Sequence, residues 1–211
     1  MNVQTAYTTY AIPPNLQRHM LRVAGVAEVL CEHWTGEKLD TGAIVLCCLF
    51  HDAAKLINFD LSKTEFFEEE ADRIDFWRKT RQQMIEKYGD NEHAATLKMC
   101  REIDLSKKAL ALIDALEWSN IPDILRSNNY ASGMSVYADM RVGPFGVISL
   151  FERINELKMR AGTTDTKTRI QNGIDLENLL QKNVNIEVKT IGDSQVNEKI
   201  NALRKKEIQS S

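Results

Sequence analysis

Apolar residues recur at helical spacing from the start of the chain's periodic part. Leu16, Met20, Val23, Val26, Ala27, Leu30 and Trp34 fall mostly at steps of three and four, behind a Pro13–Pro14 pair that suits a first helical turn. Asp40 can cap a second helix through the apolar run Ala43 to Phe50. Ser62 with Glu65 has capping-box spacing, and the highly charged run that follows to Tyr88 and Gly89 predicts a solvent-exposed helix. Asp90 is the expected cap of a helix toward Ile103, and Ser106 of one carrying Leu110, Leu112, Ile113 and Leu116. Pro122 interrupts the next pattern. Segment 128–146 opens rich in Asn, Ser and Gly, then tightens from Ser135 to Val142 before Gly143–Pro144. Ser149 with Glu152 repeats the capping-box spacing for a helix to about Arg160, stopped at Gly162. Further helices are predicted near 165–182 and 193–207, and only 185–190 hints at a strand. The pattern predicts an all-α fold with a domain over 12–161 and a helical C-terminal extension over 162–211, which either packs on the domain or forms a homodimer contact.

Composition adds bounds. At 43% apolar and 27% charged residues, a chain of 211 can bury a sizeable core. Its longest apolar run, Ala43 to Phe50, is far below the ~20 residues that cross a bilayer. Nothing in Met1–Pro14 reads as a secretory leader, so a cytoplasmic protein is expected. Lys and Arg number 27 against 30 Asp and Glu, a net charge of −3. That balance argues against a broad basic surface for a nucleic-acid polymer or an anionic membrane, so an anionic ligand must be met locally. Cys31, Cys47, Cys48 and Cys100 show no CxxC spacing and read as reduced structural thiols.

Three positions could carry chemistry. His51-Asp52 stands where a buried helix ends, and a buried carboxylate is costly unless paired or bound to a cation. The plain alternative makes Asp52 a cap and His51 a hydrogen-bonded core residue. His19 is in register with Val23, Val26 and Leu30 on the first apolar stripe, so it faces inward. Sequential helices with short connections are antiparallel neighbours, and imidazoles and a carboxylate converging from them suit a borderline divalent metal. Asp139 lies among Val136, Tyr137, Ala138, Met140 and Val142, where it needs compensation; a local cap or a salt bridge to Arg141 or Arg153 is the alternative to a ligand role.

The order His19, then His51-Asp52 after 32 residues, then Asp139 after a further 87, resembles the H…HD…D motif of the HD superfamily of metal-dependent phosphohydrolases. Pro13 to Ala24 resembles the family's first metal helix, Leu49-Phe50-His51-Asp52-Ala53-Ala54-Lys55 its HD-x-x-K segment, and Tyr137 to Val142 with Ser149 to Arg153 its final-aspartate region. The resemblance implies an HD-domain helical bundle in which His19, His51, Asp52 and Asp139 hold one divalent ion, whether Mn, Fe, Co, Ni, Zn or Mg. It implies metal-activated water attacking a small phosphorylated substrate, with a nucleotide favoured, Asp52 orienting the water and Lys55 beside the site. Arg22, one turn after His19, joins Lys55 as a candidate phosphate binder; Arg18 and Arg141 are weaker ones, and His93 is a candidate at the pocket rim. His33 returns to nearly the face of His19 but ~21 Å along the axis, so it cannot share that metal. His93 is the only further histidine between the HD pair and Asp139, which favours one metal over two. The alternative reading is a non-catalytic module that binds a metal or nucleotide. The acidic run Glu68-Glu69-Glu70, interleaved with Arg73 and Arg78, reads as a solvated helix face.

Overall fold

The computed structural model describes residues 1–63, 68–161 and 166–208, and every regular element among them is helical. In chain order these are α1 (Val3–Thr9), α2 (Pro14–Glu32), α3 (Thr41–Phe50), α4 (Ile74–Tyr88), α5 (Glu92–Glu102), α6 (Lys107–Asp114), α7 (Ile121–Ser127), α8 (Tyr130–Met140), α9 (Leu150–Ala161), α10 (Thr166–Gln181) and α11 (Asp193–Lys205). Short 3-10 turns occupy Lys55–Asn58, Glu68–Arg73, Trp118–Asn120 and Val188–Thr190.

The centre is α3, whose residues from Ala43 to Phe50 are all buried. A helix apolar on every side must be covered on every side, and α2, α6 and α8 surround it. The stretch Thr41–Asn58 is long and apolar enough to cross a membrane, but here it bends from α3 into a turn inside the core. Three of the cysteines, Cys47, Cys48 and Cys100, are packed there as small apolar groups.

Helix starts follow short polar side chains that accept from otherwise unpaired backbone N–H groups. Asp40 accepts from Ala43 at 3.0 Å and Ser106 from Ala109 at 3.2 Å. Ser149 and Glu152 form a reciprocal box, with Ser149 N–H donating to Glu152 at 2.8 Å. Several expectations need correction. Asn91, not Asp90, caps α5, accepting from Ala94 at 2.9 Å. Pro122 does not interrupt a helix but stands in the first turn of α7, where its missing N–H costs nothing. The charged run gives α4, which begins only at Ile74 and is amphipathic, burying Ile74, Trp77, Thr80, Met84 and Tyr88. Of the acidic run, Glu70 pairs with Arg73 at 2.7 Å; Glu65 and Gly162 lie outside the described residues.

The last two helices pack on the earlier ones. Helix α11 lies along α2, and α10 lies against α7, α8 and α9. The close approach of α11 depends on Gly25, where an added Cβ would meet Val196 Cγ1 at 2.7 Å. Gly25→Ala is therefore expected to cost about 1–3 kcal/mol through overpacking, despite alanine's better helix propensity, as read from urea denaturation. Segment 185–190 forms no strand. Gln181 donates to the carbonyls of Val184 and Ile186 and accepts from Val188 N–H, and Arg141 takes the Val188 and Lys189 carbonyls, so side chains satisfy the backbone that a neighbouring strand would have used.

Candidate active site

Three separate elements bring the H…HD…D residues together. His19 sits in the second turn of α2 on the buried stripe, His51 ends α3, and Asp139 lies one residue before the end of α8. His19 Nε2 is 3.1 Å from Asp139 Oδ1, and His51 Nε2 is 3.4 Å from the same oxygen. The ligand atoms of His19, His51 and Asp139 all lie within 4.8 Å of one another. Asp52 Oδ2 adds a fourth donor, 3.9 Å from His19 Nε2 and 3.7 Å from His51 Nε2. The cap and Arg153 alternatives for Asp139 are not realised: it faces the imidazoles, while Arg141 and Arg153 have other partners.

His51 Nδ1 lies 2.9 Å from the Cys48 carbonyl, an acceptor only, so Nδ1 carries the proton and donates. This fixes Nε2 toward the cluster, where it is buried and faces Asp139 Oδ1 at 3.4 Å and Asp52 Oδ2 at 3.7 Å. Burial opposes charge on the ring, but the carboxylates of Asp52 and Asp139 outweigh it and raise the imidazole to about 9. Burial likewise works against ionised Asp139, and the hydrogen bonds and charges of His19 and His51 overcome it, holding the carboxyl well below its usual range. Asp52 is lowered in the same way by His51, Lys55 and His19 against its burial. A cluster that keeps a proton on a buried imidazole offers the same negative field to a divalent cation. Two imidazoles and two carboxylates are a donor set that fits such an ion.

Beyond the HD pair the chain turns into the 3-10 segment, held by Ala54 N–H donating to buried Thr96 Oγ1 at 3.2 Å. This turn carries Lys55 Nζ to 3.5 Å from Asp52 Oδ1 and 2.9 Å from Glu92 Oε1. Asn58 donates to the other Glu92 oxygen at 2.7 Å. Glu92 thus organises the cation beside the cluster. Sequence reasoning missed it, because a glutamate just after a capping Asn reads as an ordinary first-turn acid. It also missed α1, whose buried Tyr7 donates to the Leu49 carbonyl at 2.7 Å and steadies the end of α3.

A cleft of about 630 Å³ opens over the cluster, and Lys55, Arg18 and His93 line it. His93 Nε2 is 3.0 Å from Asp114 Oδ1. Two expected phosphate binders lie elsewhere. Arg141 follows Asp139 by two residues and so leaves α8 in another direction. Its buried guanidinium donates to the carbonyls of Ile148, Val188, Lys189 and Ile191 and to Tyr137 Oη, tying the C-terminal segment to α8. Arg22 lies outside the cleft lining, with Nη1 3.5 Å from the Pro144 carbonyl of the loop that covers that edge of α2. His33 is bonded to Asn185 at 2.8 Å, away from the cleft. The lining also contains Glu117, Trp118, Arg153 and Arg169, none of which the motif pointed to as a ligand.

The family model of the HD domain matches residues 16–119, which contain His19, the HD pair, Lys55 and Glu92. No curated protein and no solved structure matches the chain. With that match, an all-α bundle and the convergence of His19, His51 and Asp52 with Asp139 from beyond the matched segment, the chain carries an HD domain.

Proposed function

We propose that the protein is a metal-dependent phosphohydrolase acting on a small phosphorylated metabolite, with a nucleotide phosphate ester as the favoured class. On this reading the working domain runs over 12–161, and His19, His51, Asp52 and Asp139 hold one divalent ion. The observation that carries it is the buried His51 Nε2, fixed by its Cys48 bond and aimed at two carboxylates beneath an open cleft. A divalent ion held there supplies a lowered pKa for a bound water and neutralises phosphoryl charge.

The chain's own groups then have distinct tasks. Lys55 spends two of its N–H donors on Glu92 and Asp52 and keeps a third for a phosphate oxygen. Asp52 spans the cluster and the lysine, with Oδ2 toward the imidazoles and Oδ1 toward Nζ. Because its carboxyl is held below the ordinary range, it stays ionised and orients the attacking water as an acceptor. Arg18 and His93 are placed to meet the remainder of the substrate.

The test is phosphate release from a panel of nucleotides and other phosphate esters, after chelation and again with each divalent metal in turn. Turnover is expected to vanish with chelator, return with metal, and fail in Asp52→Ala while the helical circular dichroism persists. Metal uptake and nucleotide binding without turnover of any ester would overturn the hydrolase in favour of a binding module.

A further inference from the structure

Among the donor-bearing residues of the cleft lining that the roles above leave unused are Trp118, Arg153 and Arg169. Trp118 Nε1 and Arg153 Nε are both buried with no hydrogen-bond partner. Each is an N–H that can donate and cannot accept, and a buried donor left unmet costs about 1–3 kcal/mol. Arg153 is only 8% exposed; its ion pair is with Glu156, at 2.6 Å, and not with Asp52 or Asp139. Arg169 is half-buried and has no ion pair among the described residues.

Helix geometry collects these donors on one wall. A Cβ at Gly173 of α10 would meet Leu150 Cδ1 and the Trp118 ring, each at 3.3 Å, so Trp118 stands at the junction of α9 and α10. Only four residues join the two helices, which makes them an antiparallel pair. Arg153 is one turn forward of Leu150 on α9, and Arg169 one turn back from Gly173 on α10, which brings the two arginines to a similar level. Glu156 neutralises Arg153, and Glu117 is the acidic group beside Trp118 on the lining. The wall therefore carries the Arg169 charge beside two residues, Trp118 and Arg153, whose buried N–H groups have no acceptor within the protein.

We propose that this wall binds a second anionic group of the substrate, a phosphate or carboxylate separate from the phosphate held by Lys55, and so selects doubly anionic phosphate esters. This rests on the phosphohydrolase reading. The metal-loaded protein is compared on matched esters: a nucleoside 5′-monophosphate against its 3′,5′-bisphosphate, and glycerol phosphate against phosphoglycerate. KM is expected to be at least about tenfold lower for the doubly anionic member, a difference of about 1.4 kcal/mol. The bisphosphate and phosphoglycerate arms show which anion is preferred. Arg169→Gln should erase that advantage, and Trp118→Phe, which removes only the N–H and keeps the packing, should reduce it several-fold. Variants that weaken both members of a pair equally would overturn the wall. Calorimetric titration with the same esters separates the two readings. If no ester is turned over but Arg169→Gln still weakens the bisphosphate at least about tenfold more than the monophosphate, the wall stands and the hydrolase falls. If turnover occurs without any difference between esters, the hydrolase stands and the wall falls.

Discussion

Asp139→Asn is expected to remove metal-dependent stabilisation and to lower phosphate release by about 10³-fold or more, with the helical content intact. Asp139 Oδ1 is the oxygen closest to both imidazoles, at 3.1 and 3.4 Å. Asparagine keeps the volume and an acceptor for His19, so the fold loses little, while the cluster loses one of the two negative charges that would hold a cation. A bound ion is worth several kcal/mol to a phosphoryl transition state, and about 4 kcal/mol corresponds to three decades in rate. In the unmodified protein, metal at about a hundred times its Kd should stabilise by about 2.7 kcal/mol. For a chain of this size that is a rise in Tm of about 5–10 °C. Thermal melts with and without metal check the first part, and phosphate release checks the second. An Asp139→Asn protein whose Tm still climbs with metal would remove Asp139 from the ligand set, whatever its activity.

Local patterns revealed the cluster because its elements are set by local rules. His19 inherits its direction from the Val23, Val26 and Leu30 stripe, and His51-Asp52 inherits its position from the end of an apolar helix. What escaped is non-local. Arg141 reads as one more cation beside Asp139, but the carbonyls it binds at Val188 and Ile191 arrive 47 and 50 residues later, and they decide its role. The same contacts abolish the strand suggested over 185–190. Helix α1 is too short to show a period of its own; it depends on the Asn2 cap and on Tyr7 reaching α3. Trp118, Arg153 and Arg169 come from three elements, and only the packing at Gly173 brings them to one cleft.

Between about pH 6.5 and 9 the metal-free protein is expected to lose stability while the metal-loaded protein stays level. His51 titrates near 6.5 when unfolded and at about 9 in the fold. A group with a raised folded pKa contributes stability that is fully present below about pH 6.5 and is lost as pH rises through about 9. Asp52 and Asp139 are lowered in the fold, so their contribution is present above about pH 4 and is lost on acidification. Metal-free protein should therefore be most stable between about pH 4 and 6.5 and weaken toward pH 9. A cation on His51 Nε2 requires that nitrogen unprotonated, so metal binding releases a proton and tightens by up to about tenfold per pH unit over the same interval. The gap in Tm between chelated and metal-saturated protein should be small near pH 6 and grow toward pH 9. Melts across that range, with chelator and with excess cation, measure it directly. His51→Gln should flatten the chelated curve and close the gap, because it removes both the proton site and the metal donor. Parallel curves in the unmodified protein would mean that proton and cation do not compete for His51, and would separate this residue from the metal site.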